Sequence, residues 1–259
     1  GYAVEWRVIN AAEYGMPQRR RRVFFIGYHK STDIYKRLQK SKKINWLTEE
    51  GTIAHAFPVV QTNSIQEVEL KGDLVELTNN FNNEGKLSPF QNTGLLIKGK
   101  VYTTKTVPNY DGEKTVLADV LQNGEVTPEF FIDENDLMKW EYLKGAKKEV
   151  RKTKDGFEYN YTEGSMIFPD AIDNASRTII TGEGGKSASR FKHVIISDRG
   201  LRRLTPIELE RLNMFPDNHT KLDGITDTKR AFFMGNALVV GVIEKIGKEL
   251  YNQIFNNEI

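Results

Sequence analysis

The sequence predicts a mixed α/β chain, and three features carry that expectation. β-rich runs open the chain, short β-prone stretches alternate with polar turns through its middle, and a capped helix followed by a long amphipathic segment closes it.

Tyr2 to Ile9 reads as a strand, with Val4-Glu5-Trp6-Arg7-Val8-Ile9 its β-rich centre. Asn10 to Pro17 carries turn residues, and Arg22 to Gly27 forms a second, more apolar strand. A connection of that length predicts an antiparallel pair at a sheet edge. From Tyr28 to about Gly200 the pattern is irregular. Gly94 to Tyr102 and Phe157 to Tyr161 are β-prone, while Asn79 to Ser88 reads as an exposed loop. Thr115 to Leu121 has helical apolar spacing, and Asp133 to Leu143 begins with the acidic residues that suit a helix N-terminus. After Gly200 the character changes. Thr205 is an N-cap, Pro206 takes the first helical position and Glu208 completes a capping box, for a helix ending near Met214 before Phe215-Pro216. Gly235-Asn236 then precedes Ala237 to Phe255, where Leu238, Val239, Val242, Ile243, Ile246, Leu250 and Ile254 mark one long amphipathic helix.

Composition narrows the function. With 39% hydrophobic and 28% charged residues the chain is globular, and a net charge of +2 leaves any anionic partner to local basic patches. Those patches run from Arg19 to Arg22 and from Lys144 to Lys154. The absence of cysteine excludes disulfides, thiolate metal sites and a cysteine nucleophile. His29, His55, His193 and His219 share no metal-ligand spacing, so no metal is expected. No apolar run reaches membrane-spanning length and no secretory signal opens the chain, which fits a cytoplasmic protein. A strand that begins directly after Gly1 suggests a fragment.

Taken alone, Gln18 to Arg22 is either a solvated strand end or a contact to phosphate or base, since guanidinium forks match planar acceptors. Gly182 to His193 is either a flexible cationic turn or a loop whose glycines admit close approach of a nucleic acid.

Three segments read together decide more. Pro17-Gln18-Arg19-Arg20-Arg21-Arg22-Val23-Phe24-Phe25-Ile26-Gly27 resembles the eighth conserved motif of the DNA (cytosine-5) methyltransferases, with Asn10 to Pro17 as its lead-in. Arg203 to Glu208, continuing through Arg211 to Pro216, resembles the ninth, and Gly235 to Val240 the tenth. The order is the family's, and the gap between the first two suits a target-recognition domain. Asn213-Met214 departs from the usual Gln-Gly, Phe233-Met234 lacks a common Gln, and Ala237-Leu238 replaces Ser-Val.

The resemblance implies a partial Rossmann-like S-adenosylmethionine-dependent methyltransferase domain in residues 1–30 and 201–259. A mixed, β-rich target-recognition domain is inserted at 31–200. It implies a bacterial or phage-type, nucleoid-associated protein acting on double-stranded DNA, often beside a restriction enzyme. In this family a cysteine attacks carbon-6 of a flipped cytosine, and the methyl group passes from S-adenosylmethionine to carbon-5. Arg22 takes the place that contacts the flipped base and Arg20 the neighbouring active-site place; strand alternation sets these two on one face. Gly235, Asn236 and Ala237 stand beside the cofactor, Asn236 foremost. Ser176 to Thr181 resembles the recognition element near the target base, which nominates Arg177, Thr178 and Ile179. Lys186, Arg190, Lys192 and His193 are nominated for phosphates or groove edges, with Ser189 beside them as a further DNA contact. The ninth motif reads as architecture. The family's Phe-x-Gly-x-Gly loop, Pro-Cys dipeptide and Glu-Asn-Val segment are missing. The chain is therefore expected to be inactive alone, as the C-terminal part of an enzyme whose N-terminal half lies in a missing segment or separate subunit. The other reading is a non-catalytic, sequence-specific DNA-binding module derived from such an enzyme.

Overall fold

A computed structural model describes residues 1–83, 85 and 88–255, so Glu84, Lys86 and Leu87 of the loop expected over Asn79 to Ser88 lie outside the described residues. In chain order come β1 (Tyr2–Asn10), β2 (Arg21–His29), α1 (Asp33–Lys40), α2 (Lys43–Asn45), α3 (Thr52–Ala56), β3 (Val59–Gln61), β4 (Gln66–Glu69), α4 (Leu74–Asn80), β5 (Thr93–Ile97), β6 (Lys100–Thr104) and β7 (Thr106–Pro108). Next are α5 (Leu117–Val120), α6 (Glu134–Lys144), the pair β8 (Lys147–Lys152) and β9 (Glu158–Glu163), and the pair β10 (Val194–Ser197) and β11 (Gly200–Arg203). The last are α7 (Pro206–Leu212), α8 (Asp227–Asn236) and α9 (Val240–Phe255). Among the described residues no helix is long and apolar enough to cross a membrane.

The chain divides into two compact units. One holds Gly1–Gly15, Arg20–Glu113 and Gly241–Ile259; the other holds Met16–Arg19 and Lys114–Val240. These units cut across the boundaries expected at residues 30 and 200. The reason is hydrogen bonding and packing: β1 pairs on its second side with β5, while Ile179 and Ile195 share a core with Leu204, Leu209 and Leu212.

In the first unit the sheet runs β2-β1-β5-β6-β4, and every pairing is antiparallel. The expected hairpin is present, with β2 at the edge. A Rossmann-like sheet is mostly parallel, so these strands, though α/β in company, do not themselves make one. Lys98 and Gly99, at φ 50 and 74, turn β5 into β6 as a two-residue hairpin requires. Ala3, Glu5, Arg7 and Ile9 are buried on one face of β1. Glu5 accepts from Tyr28 Oη at 2.8 Å and Trp46 Nε1 at 3.1 Å, while Arg7 donates to Phe57 O at 2.7 Å and to Leu47 O. The alternate residues Val4, Trp6 and Val8 join Val23, Phe25 and Leu96 along an apolar groove of about 380 Å³. Trp6 lies flat across Gly94, where a Cβ would meet its ring at 2.1 Å. Helix α9 is tied in by Gln253, which donates to Glu50 O at 2.8 Å and accepts from Thr52 Oγ1 at 3.2 Å.

In the second unit α7 has the predicted capping box, Thr205 and Glu208 bonding each other's backbone. Glu208 also takes two bonds from Arg202, at 2.7 and 2.8 Å, and both side chains are buried. The helix ends in a Schellman motif: Phe215 N–H reaches Glu210 O at 2.9 Å and Met214 N–H reaches Arg211 O at 2.8 Å. Met214 therefore sits at φ 61, in the left-handed region. The single helix expected from Ala237 to Phe255 begins later, at Val240. Ala237 N–H closes the end of α8 instead, donating to Phe233 O at 2.9 Å.

Two outcomes follow from α7. Met214→Gly stabilises the chain by about 0.5–1 kcal/mol, because the left-handed strain removed exceeds glycine's entropy cost; unchanged or lowered stability in denaturant titration overturns that. Glu208→Ala costs about 3–5 kcal/mol, and the double variant with Arg202→Ala costs less than the two singles summed. Strict additivity in the cycle contradicts it.

Candidate functional site

The arginines are placed by the turn between β1 and β2. A short 3-10 turn over Ala11–Tyr14 ends at Gly15, φ 82, where a Cβ would meet Glu113 O at 2.3 Å. Arg21 and Arg22 then pair with Asn10 and Ile9, and Ala11 N–H donates to Arg20 O at 3.2 Å. Arg20 is buried and Arg22 exposed. Burial, and then the charge of Arg22, pull the Arg20 guanidinium down to about 10. Two cations thus lie near each other, one partly desolvated, and an anion or a developing negative charge relieves both. Arg21 turns elsewhere, to a polar cavity of about 390 Å³ shared with Arg7, Glu13, Asn92 and Lys105.

In the second unit Pro17 to Arg19 runs beside the expected recognition element. Gln18 bridges Ser176 in parallel, Arg19 N–H donates to Ser176 O at 2.8 Å, and Ser176 N–H to Pro17 O at 2.8 Å. Thr178 Oγ1 donates to Arg19 O at 2.5 Å. Several nominated residues have inward roles. Ile179 is core, 1% exposed, so its side chain packs with Leu209 and Met234 and offers DNA nothing. Arg177 grips Asp170 with two bonds, at 2.6 and 3.0 Å. Lys192 is buried and donates to Gly185 O and Ser187 O, both at 2.6 Å. Arg190 donates to Leu143 O and Gly145 O, at 3.1 Å each, closing the end of α6. These cations satisfy carbonyls that would otherwise be orphaned. Ser189 is half-buried and accepts from Phe191 N–H at 3.3 Å. Lys186 is exposed, with Thr181, Gly182, Ser187 and Phe191 also on the surface.

Gly235 and Asn236 close α8 rather than open a helix. Gly235 lies against the backbone of Ile180 and Thr181, where a Cβ would meet Thr181 N at 2.4 Å. Gly184 makes the reciprocal approach, a Cβ there meeting Thr228 Cα at 2.6 Å. Asn236 is exposed, its Nδ2 donating to Phe232 O at 3.0 Å, and Ala237 is half-buried. Asn236 thus shares a unit with Thr178 and Lys186, whereas Arg20 and Arg22 belong to the other.

His193, nominated for phosphate, has no exposed surface to offer one, and sequence reasoning missed that buried polar groups hold the loop. Asp170, Ser176, Glu183 and His193 are all buried. Burial works to raise the Glu183 carboxyl, but the charge and hydrogen bonds of His193 hold it below the ordinary range. Its place between glycines gave no hint of burial. Among the described residues no cluster of three metal-capable side chains occurs.

The chain is 39% identical over 263 residues to the type II methyltransferase M.Sau3AI of Staphylococcus aureus, covering 100% of this chain and 61% of that protein. It is 24% identical to M.NgoBV of Neisseria gonorrhoeae, covering 98% and 65%. The chain thus spans about three-fifths to two-thirds of these relatives' lengths. The S. pombe Dnmt2 methyltransferase structure aligns at 13% identity and TM-score 0.49, over 99% of this chain and 59% of that one. Residues 1–252 match the model of the C-5 cytosine-specific DNA methylases, and the chain belongs to that family.

Proposed function

We propose that this chain supplies the target-cytosine pocket and the sequence-reading loop of a DNA (cytosine-5) methyltransferase, with the nucleophile supplied by another segment or subunit. The observation that carries this is the buried, charge-perturbed Arg20 beside Arg22 in a chain without cysteine. The pair is suited to a cytosine whose pyrimidine oxygen gains electron density as a thiolate adds at carbon-6. A guanidinium held in advance lowers the cost of that charge. Arg22 is the direct contact and Arg20 its buried neighbour. A DNA reader without catalysis has no use for such a pair. In this reading the ends of the chain belong to a Rossmann-like domain, completed by strands from the remaining portion of the enzyme.

S-adenosylmethionine supplies the methyl group when bound. The residues fit it in part: the exposed Asn236 commits its Nδ2 to Phe232 O, which leaves its oxygen to accept from a hydroxyl or ammonium group. Gly235 and Ala237 shape the backbone there. For DNA, the exposed Lys186 and the surface of Thr181 and Gly182 are the contacts, with Thr178 beside them. Arg177, Arg190 and Lys192 act from beneath by shaping the loop.

The chain alone transfers no labelled methyl group to duplex DNA. Mixed with the portion of M.Sau3AI that this chain does not match, it does, and Arg22→Ala lowers kcat about 100-fold or more. Absence of transfer with every matched portion, alongside selective DNA binding, favours the non-catalytic module. Lys186→Ala weakens binding evenly across sequences and flattens the log–log salt slope by about one. A change in sequence preference instead makes Lys186 a base reader.

A further inference from the structure

The loop from Ser176 to His193 is closed on itself by buried polar groups. His193 spans Ser176 Oγ, 3.1 Å from Nε2, and Glu183 Oε1, 2.9 Å from Nδ1. Glu183 also accepts from the backbone N–H groups of His193 at 2.9 Å and Ile180 at 3.2 Å. Beside this chain of groups, Arg177 donates to Phe191 O at 3.1 Å and Lys192 O at 3.3 Å, and Asp170 accepts from Val194 N–H at 2.9 Å. Serine, histidine and a carboxylate in this order activate nucleophiles elsewhere. Here Ser176 is 2% exposed and its hydroxyl donates to Arg177 O at 2.9 Å, so its proton is not offered to the imidazole and no substrate reaches it.

Charged and polar groups in a core stabilise less than apolar ones of the same size, and a partner left alone is costly. A loop that needed only burial would be filled with aliphatic side chains. These groups instead all end on one stretch of backbone: Ser176 and Ile180 on one limb, His193 and Val194 on the other. The residues left outside are Thr181, Gly182, Lys186, Ser187 and Phe191.

We propose that Glu183, His193 and Ser176 form a positioning lock that holds this loop in a single shape, so that its exposed tip selects one DNA sequence. The lock rests on the reading of the loop as the sequence reader. It touches no DNA; it removes the loop's freedom before DNA arrives, which raises affinity for the matching site far more than for others.

The test uses the full 259-residue chain. A randomised duplex pool is selected on it and sequenced, and Kd is measured for the enriched duplex and for its scrambled version. Glu183→Gln and Ser176→Ala each reduce the ratio of the two affinities about tenfold or more while the scrambled duplex binds within about twofold of wild type. Ser176→Thr, which keeps the hydroxyl, restores most of the ratio. If Glu183→Gln does not fold, the two Ser176 variants decide. A selective wild type whose folded variants keep the same ratio overturns the lock alone, as does parallel loss of both affinities. A wild type with no preference among duplexes overturns the sequence-reading role and the lock with it.

Discussion

A carboxamide with no exposed surface, Gln18, sets the geometry of the second unit. Its Nε2 donates to Leu212 O at 3.2 Å and Asn213 Oδ1 at 3.0 Å, and its Oε1 accepts from Ile179 N–H at 3.1 Å. Asn213 carries the connection on: its Nδ2 donates to Met234 O at 2.8 Å, and its backbone carbonyl accepts from Val240 N–H at 2.9 Å. Two buried amides thus join Pro17 to Arg19, the segment around Ile179, the end of α7 and the end of α8, and the backbone of Asn213 adds the first residue of α9. The motifs far apart in sequence are one hydrogen-bonded junction. Removing either amide leaves donors and acceptors with no route to water, at about 1–3 kcal/mol for each stranded group.

Both units bury charge in the same manner, with guanidinium and ammonium groups turned onto backbone carbonyls. Arg7 does so beneath the sheet of the first unit, Arg190, Lys192 and Arg203 beneath the loop of the second. A guanidinium fork can satisfy carbonyls of several segments at once, which an aliphatic side chain cannot. The consequence for function is a division of labour. Basic residues of the loop that look alike in sequence separate into those that build it and Lys186, which faces outward.

Local chemistry was legible in the sequence; pairing at a distance was not. β1 and β2 were readable because β-branched and aromatic residues dominate them, and α7 because Thr205, Pro206 and Glu208 each satisfy a different demand of a helix start. Helix α8 escaped notice because Thr226 caps it without an acidic residue at the third position, and its end at Gly235-Asn236 looked like a beginning. The alternation that joins Arg20 to Arg22 presumes a strand through both, whereas β2 starts only at Arg21, and Arg20 is buried where Arg22 is exposed. The resemblance that nominates Ile179 for DNA carries no information on burial, and its apolar side chain belongs to the core. Glu183 and His193 have no periodicity to betray them, since their bond is set by the path of a glycine-containing loop.

The departures from the family pattern fall where this junction can absorb them. Asn213 is shorter than the usual glutamine by one methylene, yet from the cap of α7 it still meets both Gln18 and Met234. What the junction requires is an amide, not a particular length. Met214 replaces glycine at a left-handed position, with a strain of about 1–2 kcal/mol confined to one residue. The Schellman bonds of Met214 and Phe215 are backbone bonds and tolerate the change. Gly235, by contrast, is retained, because the backbone of Thr181 occupies the space where any side chain would begin. A side chain can therefore change where the contact is made by backbone, as at Met214, and not where two backbones touch, as at Gly235.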